Sequence, residues 1–398
     1  MRELMDDIAA WRRTGLGVAL ARVVGTEGSA PRPAGASMAI SSDGRVAGSV
    51  SGGCVESAVV TAATSALQSG QPVLERFGYS DSDAFAVGLS CGGAVSVFVS
   101  PGLPSCYEQL EASLRAGETA VVVTVVSVRE RPVAEGAEDA PAARCFDAPG
   151  GLAAVVAGAS ALVLGDGRFV GTLGADGLDG VVRRDATGML SSGSSGLASY
   201  VALDCAPSAE VEVFFHAFAE PPRMVVVGAV DFAAALCRQA KLLGYHVSIC
   251  DARAVFATRE RFPMADEVVP DRPERHLAGI APPLGRRDAV CILTHEARFD
   301  VPAILAALET DAGYLGALGS RRTTADRRRR LLEAGADEDE LERLHAPVGL
   351  DIGARTPEET ALAICAEIVA AQNDRRAGRL SDGAGPIHGR PAAESARA

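Results

Sequence analysis

The sequence predicts an α/β protein in two parts: an N-terminal α/β domain with a mixed sheet, and a C-terminal Rossmann-like domain with a doubly wound parallel sheet. Beyond Ala219-Glu220-Pro221-Pro222, unbroken apolar runs alternate with helical periodicity, the pattern of parallel strands joined by crossover helices. Before that linker, shorter strand and helix signals are separated by glycine-rich turns. The chain has 398 residues, 48% of them hydrophobic and 43 of them glycine, enough for two or three domains. Aromatic residues make up only 5%, so aliphatic side chains and alanine must build the core.

Leu4, Ile8 and Trp11 fall at helical spacing and predict an amphipathic helix over 2–13. Gly17 to Val24 reads as a strand, and Gly25 to Gly35 as a loop holding Ser29, Pro31, Arg32 and Pro33. Ser37 to Ile40 and Arg45 to Val50 read as strands around Ser42-Asp43-Gly44. A helix over Val55 to Leu67 follows, then strands at Val73 to Phe77 and Ala94 to Val99, a helix over 105–116 and a strand over 119–128. Arg129 to Gly151 reads as a loose connection. A strand at Ala161 to Leu164, a helix over 176–186 and a strand at Val211 to Phe215 complete a first domain over 1–218, with a candidate subdomain break near 129–151. After a linker over 219–223, the second domain spans 224–373. Its strands are Arg223 to Val227, His246 to Cys250, Val268-Val269, Ala289 to Leu293 and Tyr314 to Ala317, and its first helix covers Phe232 to Leu243. The tail over 374–398 has a disordered composition. No internal repeat is visible.

The net charge of −13 argues against a nucleic-acid partner. No apolar stretch is long enough to span a membrane, and Met1 to Arg13 has no apolar h-region, so a cytoplasmic protein is expected. Nine cysteines, an odd number without a C-x-x-C pair, fit a reducing compartment.

Two cysteines stand in glycine-rich turns, Ser51-Gly52-Gly53-Cys54-Val55-Glu56 and Leu89-Ser90-Cys91-Gly92-Gly93. Glycine lets the backbone approach a ligand, and a helix N-terminus after Cys54 favours a thiolate, against which Glu56 adds negative charge. Soft-ligand or sulfur chemistry is one reading. Two buried structural cysteines is the other. Ser29, Arg32 and Gly52-Gly53 supply donors for an anionic ligand.

In the second domain, Gly228-Ala229-Val230-Asp231-Phe232-Ala233 follows the first strand. Gly228 and Ala233 fit a dinucleotide fingerprint. Val230 blocks close approach of a pyrophosphate, and Asp231 repels it. Asp251 stands where a ribose-binding acid sits. Ordinary NAD(P) binding is therefore not expected. Three segments fall at strand ends that face a ligand crevice: Thr294-His295-Glu296, the stretch through Gly319-Ser320-Arg321-Arg322, and His345 to Gly353. Ser320 caps a helix starting near Thr323, and Arg321 and Arg322 beside it suit phosphate. Arg327 to Arg330 read as a solvated basic face. His295 and His345 are candidates for acid–base work or for structural hydrogen bonding. Thr356-Pro357-Glu358-Glu359 is a capping box.

Three ordered motifs, Gly28 to Ala36, Gly48 to Glu56 and Gly88 to Gly93, resemble the XdhC/CoxI family of accessory factors for xanthine dehydrogenase, aldehyde oxidase and aerobic carbon monoxide dehydrogenase. In the second domain Asp251-Ala252-Arg253, Arg261-Phe262-Pro263, Thr294-His295, Tyr314 to Arg322 and Pro347 to Gly353 are similar to that family's Rossmann domain. The resemblance implies a molybdenum-cofactor chaperone, a binding protein rather than a turnover enzyme. It would hold the cofactor, molybdopterin or its nucleotide form, during sulfuration and insert it into an apo molybdenum hydroxylase. A cysteine desulfurase would be a second partner, and a homodimer is compatible with a shared site. Carried over by position, Cys54 and Cys91 are the thiol candidates for contact with molybdenum. Ser29, Arg32, Gly52, Gly53, Glu56 and Gly92 belong to the same signature, with Gly228, Asp251, Gly319, Ser320, Arg321 and Arg322 in the second domain. Many relatives carry Gly-His where Val230-Asp231 stands here, which counts against a dinucleotide role. The competing reading is an NAD(P)-dependent oxidoreductase with His295 as acid or base.

Overall fold

The computed structural model describes residues 1–28, 30, 32–78, 93–130, 144–149, 151–203 and 209–382. They form two compact units, Met1–Glu220 and a second beginning at Pro221.

The first unit runs α1 (Met5–Arg13), β1 (Val18–Glu27), β2 (Ser37–Ser41), β3 (Val46–Gly48), α2 (Glu56–Ser69), β4 (Val73–Phe77), β5 (Ala94–Ser100) and α3 (Tyr107–Arg115). It continues through β6 (Ala120–Glu130), β7 (Arg144–Asp147), β8 (Ser160–Leu164), β9 (Phe169–Gly171), α4 (Asp176–Ser192), β10 (Gly196–Leu203) and β11 (Ala209–Phe218). One sheet has the order β3-β2-β1-β5-β4 and is antiparallel. The other has the order β9-β8-β6-β11-β10-β7 and is mixed, because β7 joins β10 in parallel.

The inner faces of these sheets meet. Leu20 shares an apolar cluster with Val122 and Leu162, closed by Ile8, Trp11 and Leu110 of the two short helices. Val24 and Phe98 meet Val126 and Phe214. On the outer faces, α2 packs Val59, Ala63 and Ala66 onto the first sheet, and α4 packs Leu178, Val182 and Ala186 onto the second.

The two sheets are copies of one topology, which corrects the expectation of no internal repeat. β1, β2, β3, α2, β4 and β5 correspond in order and pairing to β6, β8, β9, α4, β10 and β11. Arg22 pairs with Ser37 on one side and Phe98 on the other; Thr124 pairs with Ser160 and Phe214. Both central strands carry a bulge, which leaves Val24 and Val126 unpaired at equivalent places. Val23 bonds Ala36 and Gly35 at 2.9 and 2.8 Å, and Val125 bonds Ala159 and Gly158 at the same two distances. The sequence trace is short: Asp43-Gly44-Arg45 and Gly48 against Asp166-Gly167-Arg168 and Gly171. Elsewhere the copies share only which positions are buried, so the repeat does not show in the chain alone.

Other differences are local. β1 extends to Glu27 because β5 offers it partners as far as Ala94. Of the expected loose connection over 129–151, Arg129 and Glu130 close β6 and Arg144–Asp147 forms β7, while 131–143 and 150 lie outside the described residues. α4 is longer than its 176–186 pattern, ending at Ser192 before Gly193 in the left-handed region.

The second unit runs β12 (Arg223–Val227), α5 (Asp231–Leu242), β13 (His246–Cys250), β14 (Glu267–Val269), α6 (Pro273–Gly279) and β15 (Ala289–Ile292). Then come α7 (Ala297–Leu308), β16 (Tyr314–Ala317), α8 (Arg321–Glu333), α9 (Glu338–Leu341), β17 (Leu344–His345) and α10 (Pro357–Gln372). Its parallel sheet has the order β14-β13-β12-β15-β16-β17, the Rossmann order with its switch point between β12 and β15. α5 and α10 cover one face through Leu236, Ala240, Ile364 and Ile368. α7 and α8 cover the other through Ala303, Ile304, Ala307 and Leu331. The capping box of α10 forms through Thr356 and Glu359. After α10 an exposed 3-10 turn spans Leu380–Asp382; the rest of the expected tail lies outside the described residues.

Candidate functional site

The antiparallel registers of the first sheet place three connections at one end. Glu27 stands opposite Ala94, Phe77 opposite Val95, and Met38 opposite Gly48. The β1–β2 loop, the β3–α2 turn and both ends of the β4–β5 connection therefore share that end, and these are the segments carrying the three motifs. Ser29, Cys91 and Gly92 lie outside the described residues.

The β3–α2 turn is organised by Glu56. Its Oε1 accepts from Ser49 Oγ at 2.7 Å, Ser51 N at 2.9 Å and Gly52 N at 3.0 Å. Its Oε2 accepts from Gly53 N at 2.8 Å and from Ser51 Oγ. Burial works against the charged carboxylate, but the hydrogen bonds from Ser51 and Ser49 outweigh it and bring its pKa from 4.5 to about 2. Glu56 thus holds the turn together from within, a role its place in the motif did not reveal. Gly52 and Gly53 have φ of 81° and 125°, where a side chain would be strained. Cys54 is exposed at the crest, one residue before the Val55 cap of α2.

The second copy supplies a comparison within the same chain. Asp179 accepts from Thr172 Oγ1 at 2.7 Å and Leu173 N at 2.8 Å, in the manner of Glu56. Gly177 stands where Cys54 does, and a Cβ there would lie 2.1 Å from the Asp147 carbonyl oxygen. A Cβ on Gly174 would lie 2.2 Å from the Ala154 carbonyl oxygen. The second turn is filled by its own chain. At Gly52 and Gly53 nothing among the described residues comes within 4 Å of a Cβ.

Near the first sheet, Arg32 is partly buried and its Nε has no partner among the described residues. Arg22, which sequence reasoning passed over, is buried at 1% exposure. It donates to Thr124 Oγ1 at 3.0 Å, and its Nε and Nη1 have no partner among the described residues. Burial lowers its pKa to about 10. An arginine in the apolar run Val18 to Val24 was the available signal.

In the second unit Gly228 has φ of 111°, and a Cβ there would lie 2.6 Å from Thr294 Cγ2. The Ala229 N–H, at the place where a pyrophosphate would dock, donates to Asp251 at 2.8 Å. Arg253 clasps Asp251 through Nε and Nη2 at 2.9 and 2.8 Å and reaches Glu296 at 3.0 Å. Asp231 opens α5 and is exposed. Asp251 is thus tied into an ion network. At the end of β16, α8 begins at Arg321 rather than Thr323, because Ser320 caps it by accepting from Thr323 N at 3.1 Å. Arg321 and Arg322 are exposed. Arg327 is not on a solvated face as expected: it is buried and paired with buried Asp300 at 2.9 Å. Arg328, Arg329 and Arg330 do lie outside, paired with Glu338 and Asp326. His295 is exposed. His345 stacks on Tyr314 at 4.7 Å and pairs with Glu367 at 3.5 Å. Among the described residues no group of three His, Cys, Asp or Glu side chains is placed to hold a metal ion. No helix there is long and apolar enough to cross a membrane.

These features define a two-unit α/β protein with an exposed thiol on a glycine turn and a Rossmann unit whose pyrophosphate position is held by a carboxylate. The chain belongs to the XdhC and CoxI family: that family's model matches residues 11–78, and the model of the XdhC Rossmann domain matches 224–368. It is 27% identical to a probable xanthine dehydrogenase subunit of Bacillus subtilis (strain 168), over 88% of this chain and 92% of that one. It is 26% identical to the molybdenum cofactor insertion chaperone PaoD of Escherichia coli (strain K12), over 89% and 83%. A 30% identical match to the uncharacterized protein YqeB of the same E. coli strain covers 56% of this chain and 42% of that relative. A crystal structure of a xanthine dehydrogenase from Bacillus halodurans shares the fold, with a TM-score of 0.63, 24% identity and coverage of 95% and 98%.

Proposed function

We propose that this protein binds molybdenum cofactor as cargo, holds it while the metal is sulfurated, and inserts it into an apo molybdenum hydroxylase of the xanthine dehydrogenase, aldehyde oxidase or carbon monoxide dehydrogenase type. A cysteine desulfurase would supply the sulfur. The observation that carries this reading is the Ser49–Glu56 turn. It presents an exposed thiol at the sheet end where the motif loops converge, and its internal duplicate is filled and lacks the thiol. The thiol end suits ligand exchange or sulfur handling near the metal. The partly buried Arg32, whose Nε has no partner among the described residues, suits an anionic group. The relatives' names, an insertion chaperone and a probable xanthine dehydrogenase subunit, support the same role.

The competing oxidoreductase reading requires nicotinamide dinucleotide at β12 and α5. Val230, exposed Asp231 and the Asp251–Arg253–Glu296 network all stand against it.

The test is anaerobic binding of molybdenum cofactor released from a molybdoenzyme, to the wild type and to Cys54→Ser, with NADH as the comparison ligand. Activation of an apo hydroxylase is followed in parallel. Cofactor binding without NADH binding is expected, with binding or activation lost in Cys54→Ser. NADH binding alone would restore the oxidoreductase. Full activation by Cys54→Ser and by Cys91→Ser would remove both thiols from the mechanism.

A further inference from the structure

The second unit has a built anion site, and it is not where a Rossmann fold usually places one. The N-terminus of α5 is closed to anions, because Asp251 already accepts the Ala229 N–H and Asp231 adds a carboxylate at the first helical position. The N-terminus of α8, a 13-residue helix at the end of neighbouring β16, is the opposite case. The Arg321 and Arg322 N–H groups have no partner among the described residues, while Ser320 takes those of Thr323 and Thr324. Both arginine side chains are exposed beside the positive helix end.

A second observation points inward from the same turn. Arg327 has a side chain only 4% exposed. Its Nη2 is satisfied by Asp300 Oδ2 and the Leu318 carbonyl, both at 2.9 Å, but its Nη1 is buried with no partner among the described residues. That nitrogen lies 3.5 Å from where a Cβ on Gly319 would sit. Thr324 Oγ1, on the same face of α8 as Arg327, is also buried and unpartnered. A buried guanidinium nitrogen without an acceptor costs free energy. Gly319, without a side chain, offers it no acceptor on the turn side.

We propose that the Gly319–Arg322 turn binds a phosphate group, with the Arg321 and Arg322 N–H groups and Arg327 Nη1 as donors and the Arg321 and Arg322 side chains as counter-charges. Asp300 neutralises Arg327, so the net positive charge comes from the helix end and the two exposed arginines. The ligand class is a small molecule bearing a phosphate monoester. If the chaperone reading above is right, the phosphate of the cofactor is one such group, but the site does not depend on that reading.

The test titrates the full-length protein with inorganic phosphate and with ADP by calorimetry, at two salt concentrations. The variants are Gly319→Ala and the double variant Arg321→Ala/Arg322→Ala. A Cβ at 319 makes only ordinary contacts, 3.4 Å to Thr323 and 3.5 Å to Arg327, so Gly319→Ala folds while placing a methyl group beside Nη1 on the turn side. Phosphate binding that weakens with salt, and falls about tenfold in Gly319→Ala, is expected for loss of one charge-assisted hydrogen bond. The double variant should lose more and show a smaller salt dependence. Binding of ADP that is unchanged in Gly319→Ala and in the double variant would overturn the proposal, because the phosphate would then be held by other groups. No binding by the wild type, or equal binding by all three proteins, would also overturn the proposal; equal binding would locate the anion elsewhere, such as near Arg22 and Arg32. Molybdenum-cofactor binding is measured separately, so failure of the chaperone reading leaves a phosphate result intact.

Discussion

Replacing Glu56 with glutamine asks whether one carboxylate holds the thiol-bearing turn. The change is isosteric, but it converts one acceptor oxygen into an NH2 group that faces donors. Either Ser49, Ser51 and Gly52 or Ser51 and Gly53 lose their acceptor. The fall of the Glu56 pKa from 4.5 to about 2 corresponds to about 3 kcal/mol at 1.36 kcal/mol per pH unit. Gly52 and Gly53 are exposed and can turn to water, so solvent screening leaves about 2 kcal/mol. The single tryptophan of the chain, Trp11, is buried in the first unit, and its fluorescence reports unfolding of that unit. For a unit of this size a loss of about 2 kcal/mol lowers the midpoint by about 4–8 °C. The folded pKa is depressed, so the stabilisation is complete above pH 4.5 and is lost as pH falls towards 2. The gap between wild type and Glu56→Gln should close over that window. Alkylation of Cys54 should also change rate, because its turn loosens. A midpoint shift below about 1 °C at pH 7, or a gap independent of pH, would refute the assignment of Glu56 as the organiser of the turn.

Two further changes bear on the scaffold. His216 is buried and its pKa is held well below 6.5, by burial first and then by the charge of Arg22. The unfolded chain takes up a proton below pH 6.5 that the folded chain refuses, so stability falls as pH drops, by about 1.4 kcal/mol per pH unit. Urea unfolding followed by Trp11 fluorescence between pH 5 and 7 should show this slope, and His216→Phe should reduce it. Gly228→Ala places a Cβ 2.6 Å from Thr294 Cγ2 at φ of 111°. Steric and backbone strain together should destabilise the second unit by about 2–4 kcal/mol, read as a lower urea midpoint by circular dichroism; an unchanged midpoint would mean β12 and β15 can separate at no cost.

The doubly wound parallel sheet was legible because its central strands β12, β15 and β16 are buried on both faces and read as apolar runs, as Met224 to Val227 does. The capping box of α10 was legible because its hydrogen bonds are local. β10 was missed because Ala198, Tyr200 and Ala202 alternate with Leu197, Val201 and Leu203, so the strand shows no apolar–polar period. β7 and β17 are short and exist only through partners far along the chain, β10 and β16. For the site, the motif cysteine and glycines were visible as residue types, but the duty of Glu56 lies in five donors brought together by a turn. Arg327 misled in the opposite direction. A run of four arginines looks like one charged face, yet the 3.6-residue helical repeat turns Arg327 towards Asp300 and the other three outward.

The paired sheets of the first unit amount to a homodimer written into one chain. The tether through α3 keeps the halves together at any protein concentration, so their mutual packing never depends on a second molecule. It also frees the halves from having to be identical. One presents a thiol on a turn that no described residue fills; the other has closed the corresponding turn with its own backbone and serves as ballast for the first. Mutational tolerance should divide along that line: substitutions around 172–179 act through folding, and substitutions around 49–56 act through what the turn touches.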